Sequence, residues 1–200
     1  PFSTKDVSNN NNFPKSNIID EYFDERFGAR KYHYCTNGRE ALNIALSHYS
    51  LDSEDVVSIL TTSGNFYISS CVAKEIEKFC KWSRKIEGST KVILINHEFG
   101  YPYEDLEKIK KYGIPIIEDC AHSFFSVDKK NTIGQIGDFI IYSFPKIFPI
   151  QIGGLLVTNN SIRLSETRML EQQTLRYVKN VLSHYILGIN KFVNDRIVIY

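Results

Sequence analysis

Along most of this chain, apolar runs of strand length alternate with amphipathic stretches of helical spacing, and this alternation restricts the fold more than any other feature. Residues 56–60, 92–96 and 114–118 are nearly continuous apolar runs, the pattern of strands buried on both faces. Between them, residues 66–79 and 103–112 space their apolar side chains as helices do. Upstream, Ile18, Ile19, Tyr22, Phe23 and Phe27 make a short amphipathic helix that Gly28 stops. A strand-like run over 31–35 then meets the turn Thr36-Asn37-Gly38-Arg39, and a helical stripe follows over 40–49. Such alternation predicts an α/β fold, a three-layer sandwich with a mostly parallel sheet. Strands over 138–142 and 154–158 have no convincing helix between them, so a hairpin is expected there. Residues 161–185 read as one or two long helices. Residues 1–17, including the run Asn9 to Asn12, lack periodicity and are expected to be an extended or poorly ordered arm. The main domain is then 18–185, and 186–200 reads as a linker.

A hydrophobic content of 42% is enough for a sizeable core. The 24 Lys and Arg nearly balance the 23 Asp and Glu, so no field of one sign recruits nucleic acid or an acidic membrane surface. The apolar runs fall far short of the roughly 20 residues that span a bilayer. The start of the chain shows no apolar signal-peptide core, and the expected compartment is the cytoplasm. Cys35, Cys71, Cys80 and Cys120 form no C-x-x-C pair, which predicts neither a metal site nor disulfides but reduced thiols, mostly in the core.

In open parallel sheets, ligands sit beyond the carboxyl ends of the strands, so the segments just after each strand are where chemistry is sought. Asp119 and His122 follow an apolar strand. Asp119 either caps the next segment or serves as a partly desolvated carboxylate able to hold a ring nitrogen protonated. Lys146 stands between apolar and proline residues after another strand. It is either a surface lysine whose stem lies on apolar neighbours, or a buried amine whose pKa falls far enough for imine chemistry. Gly153 and Gly154 allow a turn or a close approach to a ligand. The turn carrying Asn37, Gly38 and Arg39 opens a helix, where unpaired N–H groups suit a phosphate; Ser143 could add a hydroxyl, and Asn37 could equally be an ordinary cap. Phe66, beyond another strand end, either packs or stacks on a cofactor ring.

In this order, across roughly residues 14–160, these features resemble the DegT/StrS family of sugar aminotransferases, fold-type I enzymes that use pyridoxal 5'-phosphate (PLP). The shared motifs are Asn37-Gly38-Arg39, Phe66, the H-x-x-G-x-P segment of His97, Gly100 and Pro102, the Glu118-Asp119-x-Ala121-His122 run, and Ser143-Phe144 with Lys146 and Gly153-Gly154. The resemblance implies Lys146 as the lysine that carries PLP as a Schiff base and acts as general acid and base. It implies Asp119 on the pyridine nitrogen, His122 by the phenolic oxygen, Phe66 on the ring face, and Asn37, Gly38, Arg39 and Ser143 around the phosphate. It further implies transfer of an amine from a donor such as glutamate to a nucleotide-linked keto sugar in polysaccharide or secondary-metabolite synthesis, by a homodimer in which Asn190 could reach a phosphate across the interface. Members of the family are nearly twice this long, so their small C-terminal domain is expected to be largely absent. A non-catalytic binding or scaffold subunit, or another PLP reaction such as decarboxylation or dehydration, are the alternatives. Three departures stand out: Arg39 replaces the commoner small hydroxyl residue, Gln151 and Ile152 precede the glycine pair where an acid is usual, and the stretch 79–91 looks too short for the family's extra strand.

Overall fold

The computed structural model describes residues 4–159 and 170–193, with side chains through 188 in the second segment. In chain order its elements are α1 (Thr4–Asn9), α2 (Ile18–Phe27), β1 (Tyr32–Cys35), α3 (Gly38–Ser47), β2 (Val56–Thr61), α4 (Ser70–Ile76), β3 (Lys81–Ser83), β4 (Thr90–Asn96), α5 (Leu106–Lys110), β5 (Ile116–Asp119), β6 (Phe139–Ser143), β7 (Gly154–Thr158) and α6 (Gln172–Val193). One sheet of seven strands runs in the order β1-β7-β6-β5-β4-β2-β3. β7 pairs antiparallel with both β1 and β6, and the other pairings are parallel.

The alternation of side chains along the strands divides the core into layers. Val92 and Leu94 of β4, Ile117 of β5, Phe139 and Ile141 of β6 and Leu156 of β7 pack with Ala41, Leu42, Ala45 and Leu46 of α3 and Ile76 of α4. On the opposite face Ile140 and Tyr142 of β6 and Leu155 and Val157 of β7 meet Ile19 and Phe23 of α2 and Val178, Val181 and Leu182 of α6. Ile93 and Ile95 pack there too, against Leu106 and Ile109 of α5. The architecture is therefore the expected three-layer α/β sandwich with a mostly parallel sheet. No helix among the described residues is long and apolar enough to cross a membrane.

Four sequence expectations need correcting. The first segment is not an extended arm: α1 leads into a 3-10 turn at Asn10–Asn12, and the Asn10 amide, buried, donates to the Pro149 carbonyl at 2.7 Å. Phe13 stacks on His184 of α6, with ring centroids 3.8 Å apart. Polar bonds of Asn10 and Ser16 and the ring of Phe13 anchor this segment, so no hydrophobic period could reveal it. The helix expected over 66–79 starts only at Ser70, leaving Phe66 in a loop. The stretch 79–91 does hold a strand, β3, added parallel to the edge of β2. The final helix passes the boundary expected at 185 and continues to Val193. Residues 160–169, part of the helices expected over 161–185, and the Asn190 side chain lie outside what is described.

Candidate active site

Strand register sets the site. Thr61, Asn96 and Asp119 pair across β2, β4 and β5, and Ser143, Gly154 and Cys35 pair across β6, β7 and β1. Thr61, Asn96, Asp119 and Ser143 all continue the alternation that faces α3. They stand in a row along the carboxyl edge of the sheet, the crevice position where open α/β sheets bind ligands.

At one end of the crevice, α3 begins with Asn37 as its N-cap, whose side-chain oxygen accepts from the Glu40 N–H at 3.0 Å. Glu40 in turn accepts from the Thr36 N–H at 2.6 Å and from its hydroxyl at 2.8 Å. The reciprocal arrangement, close to a capping box, leaves the N–H groups of Gly38 and Arg39 as first-turn donors without intrahelical acceptors. A Cβ on Gly38 would lie 3.2 Å from the Ser143 Cβ, so Ser143 borders this turn as expected. The glycine pair has another purpose than close approach to a ligand. A Cβ on Gly154 would lie 2.6 Å from the Asn37 carbonyl carbon and 2.9 Å from the Gly38 nitrogen. Gly153 donates its N–H to the Thr36 carbonyl at 2.6 Å. The glycines let β7 touch the backbone of the turn and hold it against the sheet.

At the centre, Asp119 is half-buried at the end of β5. Its Oδ1 accepts from the Ala121 N–H at 3.0 Å, while Oδ2 has only the Asn96 amide, at 3.5 Å. Burial raises the Asp119 pKa, opposed by the Ala121 N–H and by His122, His97 and Lys146. Burial also lowers the pKa of His122, and the charge of Lys146 lowers it further against the opposing pull of Asp119. Asp119, His122 and Lys146 are thus close enough to act on one another electrostatically. Lys146 closes a 3-10 turn, Phe144–Lys146, directly after β6. Of the two alternatives its sequence context allowed, a surface lysine and a buried amine, the structure shows the exposed one. Phe144 and Phe148 turn into the core, while Lys146 is exposed on the crevice side of the turn.

The far end is lined by loops. Phe66 is 92% exposed in the loop after β2, and no packing holds its ring. The loop itself is tied down by Arg84, which donates to the Ile59 carbonyl at 2.7 Å, to the Thr61 hydroxyl at 2.8 Å and to the Asn65 carbonyl. Nothing in the sequence around Arg84 signals that role. Arg39 is exposed at the opposite end. The Asn37–Gly38 turn thus borders Ser143, and Asp119, His122 and Lys146 act on one another, all beyond the carboxyl edge of the sheet, with Arg39 and Phe66 exposed in the first turn of α3 and the loop after β2.

Sequence reasoning saw Glu118 and His97 only as parts of motifs. Both are fully buried, and they hold the strand ends beneath the crevice. Glu118 Oε1 accepts from the N–H groups of Ile136 and Gly137, and Oε2 from the N–H of Gly134 at 2.8 Å. His97 Nδ1 accepts from the Tyr103 N–H at 3.0 Å, so Nε2 carries the proton and donates to Glu118 Oε2 at 2.9 Å. Cys120 brings its sulfur within 4.8 Å of these groups. Both ring nitrogens and all four carboxylate lone pairs are already engaged, so the cluster works as a structural clamp rather than an ion site. A charged residue inside an otherwise apolar strand was the signal that could have revealed it.

The pattern of residues 6–195 matches the DegT/DnrJ/EryC1/StrS aminotransferase family. The chain belongs to that family. GDP-perosamine synthase of Escherichia coli O157:H7 is 29% identical, the match covering 88% of this chain and 54% of that protein. The dTDP-3-amino-3,6-dideoxy-alpha-D-galactopyranose transaminase of Aneurinibacillus thermoaerophilus is 28% identical, over 64% of this chain and 41% of the relative. The chain thus spans about half the length of these curated relatives. Among solved structures, NtdA of Bacillus subtilis with bound cofactor PMP superposes with a TM-score of 0.64 at 14% identity, over 92% of this chain and 53% of that one. This likeness confirms the fold.

Proposed function

We propose that this family member is a PLP-dependent aminotransferase that passes an amino group from a donor such as glutamate to a nucleotide-linked keto sugar, in the cytoplasm, for polysaccharide or secondary-metabolite synthesis. The observation that carries the reading is Asp119: a desolvated carboxylate with one lightly used oxygen, within electrostatic reach of Lys146 and His122. That environment fits a cationic ring N–H, which would offset the cost that burial imposes on the charge. The open first turn of α3 beside Ser143, at the other end of the same crevice, fits a phosphate. A carboxylate for a ring nitrogen and a donor nest for a phosphate on one crevice are the two requirements of PLP.

When bound, PLP supplies an electron sink for the carbanion formed at the substrate carbon. The chain's own groups would then divide the work. Asp119 Oδ2 holds the ring nitrogen protonated, and His122 borders the phenolic oxygen. The N–H groups of Gly38 and Arg39, the Asn37 amide and the Ser143 hydroxyl orient the phosphate, with the Arg39 guanidinium adding charge at the rim. Phe66 covers the ring face. Lys146 holds the cofactor at rest and, once released, its Nζ moves the proton to and from the substrate carbon. A homodimer is part of this proposal, and sedimentation of the purified protein tests it.

PLP titration followed by visible absorbance tests the central assignment. Wild type should develop a band that Lys146→Ala lacks, and glutamate should then bleach it. A folded wild-type protein that takes up no PLP overturns the reading.

A further inference from the structure

The loop after β4 holds a conformation that its sequence does not favour. Phe99 has φ +51° and Gly100 φ +88°, so two successive residues lie in the left-handed region, one of them a bulky aromatic. Phe99 gains little burial there, since its side chain is 77% exposed. Strain of this kind persists only where the surroundings over-determine the backbone. Here they do so from both sides. On one side stands His97, whose N–H donates to the Asp119 carbonyl at 3.1 Å and whose carbonyl accepts from the Ser123 hydroxyl at 3.0 Å. Its ring is fixed by Tyr103 and Glu118 as described above. On the other side the Thr62 hydroxyl donates to the Tyr101 carbonyl at 2.8 Å, and the Glu98 carboxylate accepts from the Ser63 N–H and hydroxyl at 2.8 and 2.6 Å.

The strained backbone brings Phe99 onto His122. The Phe99 ring lies over the imidazole of His122, with centroids 5.5 Å apart and planes within 15°. Gly100 is compatible with this approach because a Cβ there would come within 3.1 Å of the Ser126 hydroxyl and 3.6 Å of the His122 carbonyl. The charged groups acting on His122 are Asp119 from the end of β5 and Lys146 from the turn after β6. Glu98, the acid beside Phe99 in sequence, is turned away onto Ser63.

We infer that Phe99 is a positioning residue: the pinned loop presses its ring onto one face of His122, fixing the imidazole plane in the crevice and keeping water from that face. The inference rests on the reading of His122 as a neighbour of the cofactor. A flat ring suits the purpose, because stacking constrains the imidazole plane while leaving both nitrogens free to bond.

The test uses Phe99→Ala, which removes the ring, and Phe99→Tyr, which retains it; the side chain is exposed, so neither change disturbs the core. In protein without added PLP, histidine side-chain resonances are titrated by NMR, with His122 assigned from its absence in His122→Asn. Phe99→Ala should raise the His122 pKa toward the ordinary imidazole value as water reaches the freed face, and Phe99→Tyr should restore the wild-type titration. PLP affinity, measured separately, should fall about tenfold in Phe99→Ala and stay near wild type in Phe99→Tyr. A His122 titration unchanged by Phe99→Ala, or changed equally by Phe99→Tyr, overturns the inference. Failure of wild type to bind PLP instead overturns the proposed function, and the NMR comparison still decides the stacking role.

Discussion

The two ends of the crevice are built by opposite means. At the β1–β7–β6 end, backbone meets backbone: Gly154 sits so close to Asn37 and Gly38 that not even a methyl group fits between them. At the β2–β4 end, side chains are left standing in solvent, with Phe66 at 92% and Phe99 at 77% exposure, and position comes from polar ties in the loops beneath. The phosphate proposed for this corner has the same shape whatever the substrate, so a fixed corner would suit it. Aromatic rims on loops leave room for a surface that changes from one substrate to another. Stability and function are therefore expected to separate along the crevice.

Substitutions can break that contrast. Gly154→Ala should be the most damaging, because its Cβ meets the backbone of the turn rather than a side chain able to swing aside. A loss of about 3 kcal/mol in urea unfolding is expected; wild-type stability would show that the corner is looser than described. Asp119→Asn, midway along, should act in opposite directions on stability and binding. Because burial raises the folded-state pKa of Asp119 above its unfolded value, the ionised carboxylate costs stability at neutral pH, and this cost disappears as pH falls through its titration. The amide keeps the bond from Ala121, so the melting temperature without cofactor should rise at pH 7, and the gain should vanish in acid. PLP affinity should fall in the same variant. A lower melting temperature at pH 7 would mean that the carboxylate is well solvated. Phe66→Ala should change unfolding free energy by no more than about 0.5 kcal/mol, as for an exposed side chain away from packing. Its PLP dissociation constant should still rise about fivefold if the ring stacks on the cofactor.

The sheet was legible in the sequence because its strands are buried on both faces and stand out as apolar runs. The 4-residue β1 was legible as the run 31–35, but its antiparallel pairing with β7, a strand from the far end of the sheet's chain order, was not. β3 escaped because Lys81-Trp82-Ser83 is a short edge strand with little apolar signal. In the candidate site, residues announced by order along the chain lie near one another in two groups: Asp119, His122 and Lys146, and Ser143 with the Asn37–Gly38 turn. What stayed hidden was the support. Arg84, Glu98 and His97 act through hydrogen bonds to backbone atoms in distant segments, and such bonds leave no periodic trace. The exposure of Lys146 could not be decided from sequence, since Phe and Pro neighbours indicate an apolar environment without telling which side chains turn inward.

The place of β7 has a consequence for how the molecule is made. β1 lies at the sheet edge, and its neighbour is β7, so residues 32–35 find their pairing only when 154–158 arrive. The strands from β2 to β6 can associate as they are synthesised, each adding beside one already formed. The corner built from Thr36 to Gly38 must instead wait for a chain segment more than 100 residues away, a closure of high contact order. A ribosome-bound chain ending before Gly154 would thus carry much of the sheet but no assembled corner, and the proposed phosphate site would form only after that strand has joined the sheet.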